Sequence, residues 1–207
     1  MRKFLTCLTA AALLATPAYA EARGFKSDIG TTITGPLKLE IGVSDDLAHR
    51  ANHLPKRLSH RGSGARLNAA FANNGRYGDK AIEYLIEDIQ DELVQDFSKR
   101  NISLSDDAPT LLKVTIEMAK PNRPTFEQLS HDVSLSYQSF GIGGAEVSVE
   151  IVSAGGDVLG TASYDYYPSL NERPGMTAAT WSDANRAFSR FSNRLSKKLA
   201  AAGAGTT

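Results

Sequence analysis

Residues 145–167 read Ala-Glu-Val-Ser-Val-Glu-Ile-Val-Ser-Ala-Gly-Gly-Asp-Val-Leu-Gly-Thr-Ala-Ser-Tyr-Asp-Tyr-Tyr. Ala145, Val147, Val149 and Ile151 alternate with Glu146, Ser148 and Glu150, the period of two that gives a strand one apolar and one polar face. Ala154-Gly155-Gly156-Asp157 is a turn signal, and Val158 to Tyr167 reads as the returning strand. A hairpin with a polar outer face predicts an antiparallel sheet; the strands of a fully covered parallel sheet run apolar on both faces.

Working upstream, Leu112, Val114, Ile116 and Met118 alternate with Lys113, Thr115 and Glu117, and Pro121 and Pro124 end that strand. Val133, Leu135 and Tyr137 predict a further extended piece. Leu37, Leu39, Ile41 and Val43 alternate with Lys38, Glu40, Gly42 and Ser44 and form another strand. Ser44-Asp45-Asp46 offers oxygens to cap a short helix through His53, which Pro55 limits. From Lys56 to Gly78 the chain is basic and glycine-bearing, and predicts a loop with one short extended piece near Leu67 to Phe71.

Two longer segments have helical period. Ile82, Leu85, Ile86, Ile89, Leu93 and Phe97 form one apolar stripe. Glu83, Glu87, Asp88, Asp91 and Asp96 take the other faces, and Lys99-Arg100 lies at the end, an order that suits the helix dipole. Ala184, Phe188, Phe191, Leu195 and Leu199 form the second stripe, with Trp181 near its start, Thr180 and Asp183 in a capping arrangement and Lys197-Lys198 near its end. The fold class is therefore α+β: a two-layer sandwich, mainly an antiparallel sheet of about four strands covered on one face by two main helices.

The chain of 207 residues opens on Arg2 and Lys3, an apolar run from Phe4 to Leu14, and Thr16-Pro17-Ala18-Tyr19-Ala20. Basic, apolar and small-residue zones in that order predict a secretory signal peptide cut after Ala20. The expected organisation is a signal peptide at 1–20, an N-terminal arm at 21–36 that is either a mobile arm or an irregular first strand, a single α+β domain at 37–199 and a flexible tail at 200–207. The location expected is periplasmic or secreted, with no transmembrane segment in the mature chain. The single cysteine, Cys7, lies ahead of the apolar run, where a lipoprotein cysteine does not sit. Losing it leaves no thiol for disulfides, thiolate metal sites or nucleophilic catalysis. Removing Arg2 and Lys3 takes the 23 Lys and Arg down by two to 21, against 23 Asp and Glu. A balance of that kind is no electrostatic footprint for nucleic acid.

Chemistry-bearing motifs are sparse. The chain has no G-x-S-x-G elbow, no S-x-x-K and no G-x-x-x-x-G-K-[ST] loop. Gly141-Ile142-Gly143-Gly144 leads into a strand instead of a helix, so it reads as a tight turn and not as a phosphate cradle. His49 and His53 are four apart and share a helix face; with His60 they form the one candidate metal set. Arg50, Lys56, Arg57 and Arg61 crowd that set with positive charge, and it reads first as a solvated basic surface. Tyr164, Tyr166, Tyr167 and Trp181 cluster beyond the hairpin. Trp181 and Tyr166 read as core, and Tyr164 and Tyr167 join Arg50, Lys56, Arg57 and Arg61 as a candidate partner surface.

The long helix ending near Phe97 is followed by a polar stretch and the strand Leu112–Met118. After these come Gly144-Ala145-Glu146-Val147, the hairpin Gly155-Gly156-Asp157-Val158-Leu159-Gly160 and Trp181-Ser182-Asp183-Ala184. This layout resembles a group of uncharacterised bacterial exported proteins and envelope lipoproteins, and is similar to the auxiliary lipoproteins of envelope transport systems. The chain departs from them in lacking the lipid-attachment cysteine. The resemblance implies a binding or assembly role at the envelope and brings no catalytic residue with it. The expected function is a periplasmic, non-enzymatic accessory or binding protein of the bacterial cell envelope, without cofactor, whose partner is an envelope protein or a small ligand. The alternatives are a metal-dependent hydrolase using His49, His53 and His60, and an inhibitor presenting residues 121–143 to a secreted enzyme.

Overall fold

The computed structural model describes residues 24–30, 32–56, 71–168 and 179–204. The segment 1–20 expected to be a signal peptide, His60, Arg57, Arg61 and the piece predicted up to residue 70 lie outside them. The hairpin that decided the reading is present: β4 (Gly144–Val152) pairs antiparallel with β5 (Val158–Tyr166), Val149 opposite Ala162 and Val147 opposite Tyr164. β3 (Thr110–Lys120) pairs antiparallel with β4, with Val114 opposite Val149. From Leu112 to Ile116 the buried residues follow the alternation, Leu112, Val114 and Ile116 lying in register with Ile151, Val149 and Val147; a bulge between Ile116 and Met118 then shifts the phase, so that Ala119 is buried and Met118, expected on the apolar face, is only partly covered.

The sheet has five strands, not four, in the order β1-β5-β4-β3-β2, and it is mixed. β2 (Leu37–Val43) runs parallel to β3, because three helices intervene and return the chain to the same end of the sheet. The fifth strand, β1 (Gly24–Asp28), lies within the stretch read as an arm and pairs antiparallel with β5. Its sequence Gly-Phe-Lys-Ser-Asp carries one large apolar residue, so it shows no period. Phe25 holds it in place by packing against Tyr164 and Phe191, with ring centroids 6.5 and 6.3 Å apart.

The helices are α1 (Asp45–Asn52), α2 (Phe71–Asn74), α3 (Asp79–Ser98), α4 (Phe126–His131) and α5 (Ser182–Ala201). Ser44 caps α1 as expected, its hydroxyl accepting from the Leu47 N–H. α3 packs on α5, and α5 on β4 and β5. Leu85, Ile89, Leu93 and Phe97 meet Phe188, Phe191, Leu195 and Leu199 in one continuous core, all without solvent exposure. Ser192 lies in the same seam and donates to the Glu92 carbonyl at 2.7 Å. Both long helices end on a left-handed residue, Asn101 (φ 56°) and Gly203 (φ 98°), which turns the next N–H back onto the helix: Ile102 to Phe97 O and Ala204 to Leu199 O, each 3.0 Å.

Residues 200–204, where a fraying tail is expected, make contacts with the rest of the fold. Ala202 accepts from the Ile33 N–H at 2.8 Å and Ala204 is buried. The strand predicted around 133–137 is also absent. A turn replaces it, closed by Asp132, whose carboxylate accepts from the Ser134 N–H. Upstream of the turn is α4, whose six residues are too few to show a helical period. None of the described helices is long and apolar enough to cross a membrane.

Candidate functional site

Apart from Asp96, Ser192 and Ser196 on the two long helices, the buried polar residues among those described gather at one end of the sheet, where β3 stops, β4 starts and α5 begins. Pro121 and Pro124 bracket this stop. Asn122, between them, is 1 % exposed and its backbone N–H donates to the Thr180 carbonyl at 2.6 Å. Trp181 occupies the N-cap position of α5 and has no acceptor to offer the helix. Asn122 supplies one from across the fold: its Oδ1 accepts from the Asp183 N–H at 2.8 Å. Its amide nitrogen donates in return to the Asp183 carboxylate, which also accepts from the Gly143 N–H at 3.3 Å. A carboxylate in the first turn complements the helix dipole, so buried Asp183 is well held. The expected Thr180–Asp183 cap is thus replaced by a contact spanning 61 residues.

This clasp explains the glycine run. A Cβ on Gly143 would stand 2.5 Å from Asn122 Oδ1 and 2.8 Å from the Lys120 carbonyl. Gly144 has φ 153° and lies under the ring of Tyr167, with the Tyr166 carbonyl against it. Positive φ therefore applies at Gly144, whereas Gly143 is needed for close approach.

Two cations border the clasp. Arg50 on α1 is only 4 % exposed. Its Nε and Nη2 both donate to the Gly75 carbonyl, at 3.0 and 2.8 Å, and its guanidinium lies 4.1 Å from the centroid of the Tyr77 ring. Tyr77 in turn meets Trp181 edge-on at 5.4 Å. Lys120, at the end of β3, places its Nζ 4.8 Å from the centroid of the Tyr167 ring. Burial lowers the pKa of both; Tyr77 opposes the effect at Arg50, and at Lys120 Glu146 opposes it while Arg50 adds to it. Burial also pushes Tyr77 up to about 12, against the pull of Arg50. Tyr167 moves up as well, through burial and then the neighbouring Glu146, and its buried hydroxyl has no hydrogen-bond partner.

The structure therefore separates the residues grouped by sequence as a partner surface. Arg50 is interior, because its guanidinium is consumed by Gly75 and Tyr77. Tyr164 is interior too, beneath Arg194 and stacked on Tyr166 at 6.4 Å. Tyr166 is only partly buried and carries Arg190 over its face at 4.5 Å, while Trp181 is core as expected. Lys56 is exposed and pairs with exposed Asp46 at 3.5 Å, a surface pair worth little. Tyr167 lies at the polar end described above.

His49 and His53 do share a face of α1, but their rings stack, with centroids 4.5 Å apart and planes 11° apart. An imidazole binds metal through a nitrogen lone pair lying in the ring plane, and two parallel stacked planes do not converge on one ion. Among the described residues no three His, Cys, Asp or Glu are grouped to hold a metal.

Residues 121–143 leave the polar end as an ordered excursion. Thr125 and Gln128 form a capping box at the start of α4, and the Gln128 amide reaches the Phe71 carbonyl at 2.8 Å. Arg123 Nη1 donates to the carbonyls of Tyr137, Gln138 and Ser139 at 3.0–3.4 Å, tying the two limbs together. On this braced backbone Phe126, Val133 and Tyr137 project with 80, 105 and 75 % exposure. Sequence reasoning assigned the last two to a strand; the signal it missed was Thr125-x-x-Gln128, a capping box ahead of a short helix.

No family model matches the chain, and no curated protein matches it. Among solved structures it is similar to a PelC dodecamer from Paraburkholderia phytofirmans, with 11% identity, 83% of this chain and 95% of that chain covered, and a TM-score of 0.41. Agreement of this degree is too slight to transfer function.

Proposed function

We propose that this protein is a non-enzymatic accessory or binding protein of the bacterial cell envelope, exported to the periplasm by the leader at 1–20. Its working surface is the 121–143 excursion, mounted on a two-layer body whose helices lie on one face of the sheet. The observation that carries the reading is the bracing of three exposed apolar side chains, Phe126, Val133 and Tyr137, on a backbone fixed by Arg123, the α4 capping box and Gln128. Large apolar groups held in water on an ordered scaffold are a feature of contact surfaces, since pre-ordering lowers the entropy lost on binding.

The occupant proposed is a protein partner. Lipid binding favours a rim of Lys and Arg around the apolar groups. Here the neighbours are Glu127, bonded to His131 at 2.9 Å and near Arg76 at 3.8 Å, and exposed Asp132. A rim of both signs suits a protein surface better than an anionic bilayer.

Photo-crosslinking amino acids at Phe126 and Tyr137, with a control at exposed Val158 on the hairpin, test the reading in exporting cells. A discrete protein adduct from 126 and 137 and not from 158 supports it. Adducts to lipid alone, equal adducts from all three positions, or no adduct from any of them, overturn it.

A further inference from the structure

We propose that the outer faces of α3 and α5 are a self-association surface, on which a second copy of this chain docks with its α3 against α5 of the first and its α5 against α3. Between Ala81 and Ser98 the chain has six acids, Glu83, Glu87, Asp88, Asp91, Glu92 and Asp96, and no lysine or arginine. Between Ala184 and Ala201 it has five cations, Arg186, Arg190, Arg194, Lys197 and Lys198, and no acid. The two helices pack side by side and run in the same direction, because Asn185 meets Asp88 and Ser192 meets Glu92.

The charges form two rows. Glu83, Glu87 and Asp91 follow one another at steps of four, all of them exposed. Arg186, Arg190, Arg194 and Lys198 do the same on α5, with Arg186 half-buried and the others exposed. Residues four apart are neighbours on a helix surface, where like charges destabilise and a solvated helix ordinarily alternates acid with base. Both rows therefore carry a cost that a partner of opposite sign relieves. The seam does not cancel them. Among the described residues no ion pair joins α3 to α5, and the pair that involves either helix is Asp96 with Lys99. Arg190 and Arg194 lean toward β5 instead, where the rings of Tyr166 and Tyr164 hold their guanidinium groups in place.

The arrangement of signs selects the occupant. A partner of one sign, such as an anionic bilayer, is attracted by α5 and repelled by α3 beside it. The surface is complementary to itself. A two-fold axis parallel to the helices lays α3 of each copy on α5 of the other, so that row meets row as acid against base and never as like against like. Tyr84 and Val94, 58 and 45 % exposed, lie on α3 and add apolar contact; the Tyr84 ring offers a face to a partner arginine. Two helices of 20 residues, each about 30 Å long and about 10 Å wide, present about 600 Å² per copy, which reaches the lower end of specific interfaces. Exposed ion pairs are individually weak and screened by salt, so the dimer is salt-sensitive.

The experiment is sedimentation of the full mature protein from micromolar to near-millimolar concentration. The expected result is a dimer whose dissociation constant rises at least about tenfold between about 0.05 and about 0.5 M sodium chloride. Reversing the acidic row (Glu83→Lys, Glu87→Lys, Asp91→Lys) should give a monomer, and so should reversing the basic row (Arg186→Glu, Arg190→Glu, Arg194→Glu, Lys198→Glu). An equimolar mixture of the two variants should restore the dimer, since each then meets its opposite in both halves of the interface. Where a reversal fails to fold, the milder pair Glu87→Gln and Asp91→Gln should weaken the dimer about tenfold. Phe126→Ser, on the 121–143 excursion, should leave it intact. A chain that stays monomeric throughout, a dimer that neither salt nor the row variants weaken, or folded reversal variants that stay apart when mixed overturn the proposal. Open-ended assembly in place of a dimer, loss of the dimer in Phe126→Ser, or binding to phosphatidylglycerol vesicles by a protein that forms no dimer overturns it as well.

Discussion

The seam between α3 and α5 and the polar end of the sheet are buried to the same degree and built from opposite chemistry. In the seam, Ile89, Leu93, Phe97, Phe188, Phe191 and Leu195 are all without exposure, and the polar groups are few: the hydroxyls of Ser192 and Ser196 and the amide of Asn185 beside Asp88. At the polar end, Arg50, Asn122, Asp183 and Gln128 are each 4 % exposed or less. Apolar burial is non-directional and stabilises wherever shape allows. Polar burial stabilises only where each donor meets its acceptor, and costs free energy where it does not. The seam therefore accounts for stability, whereas the polar end accounts for position: it fixes the start of α5 and the root of residues 121–143 by specific bonds.

The largest expected effect lies in the seam. Phe191→Ala should cost about 3–5 kcal/mol and Ile89→Ala about 2–5 kcal/mol in urea unfolding, because each removes a fully enclosed side chain. Losses below about 0.5 kcal/mol for both, the range of ordinary surface changes, would take the helices out of the core and dissolve the contrast. Next comes Asn122→Ala. It leaves the Asp183 N–H without its acceptor and the Asp183 carboxylate with one donor fewer, which should cost about 1–3 kcal/mol in the same melts.

Tyr167→Phe sharpens the comparison from the other side. The hydroxyl is buried and unpartnered, so its removal should leave stability within about 0.5 kcal/mol of wild type or raise it. A large loss would mean that the hydroxyl is bonded in solution. The smallest effect concerns the histidines. With His49 and His53 stacked, dialysed protein should carry well under one equivalent of zinc, and chelator should leave the melting temperature of both wild type and His49→Ala unchanged. A stoichiometric metal lost in His49→Ala would reinstate the hydrolase reading.

The same contrast decides what sequence could reveal. The seam was legible because period 3.6 in Ile82–Phe97 and Ala184–Leu199 is a local pattern, and the hairpin was legible because Val147–Ile151 and Gly155-Gly156 carry period and turn together. β1 was legible only as an alternative to a mobile arm, because its one apolar residue, Phe25, is held by partners 139 and 166 positions away. The parallel pairing of β2 with β3 was hidden because alternation gives a strand its faces and not its neighbour. The clasp was hidden for the same reason. Asn122 between two prolines reads locally as a strand terminator, and only the fold brings it to Asp183. Arg50 looked like one more member of a basic surface, since nothing in its neighbours along the chain announces Gly75 or Tyr77.

Amide hydrogen exchange of Asn122→Ala against wild type tests the division between a stability core and a positioning end most directly. The account predicts faster exchange confined to residues 121–143 and the first turn of α5, with β3, β4, β5 and the seam of α3 still protected, because local opening need not reach the core. Uniform acceleration across sheet and helices, or no change at 121–143, would contradict it.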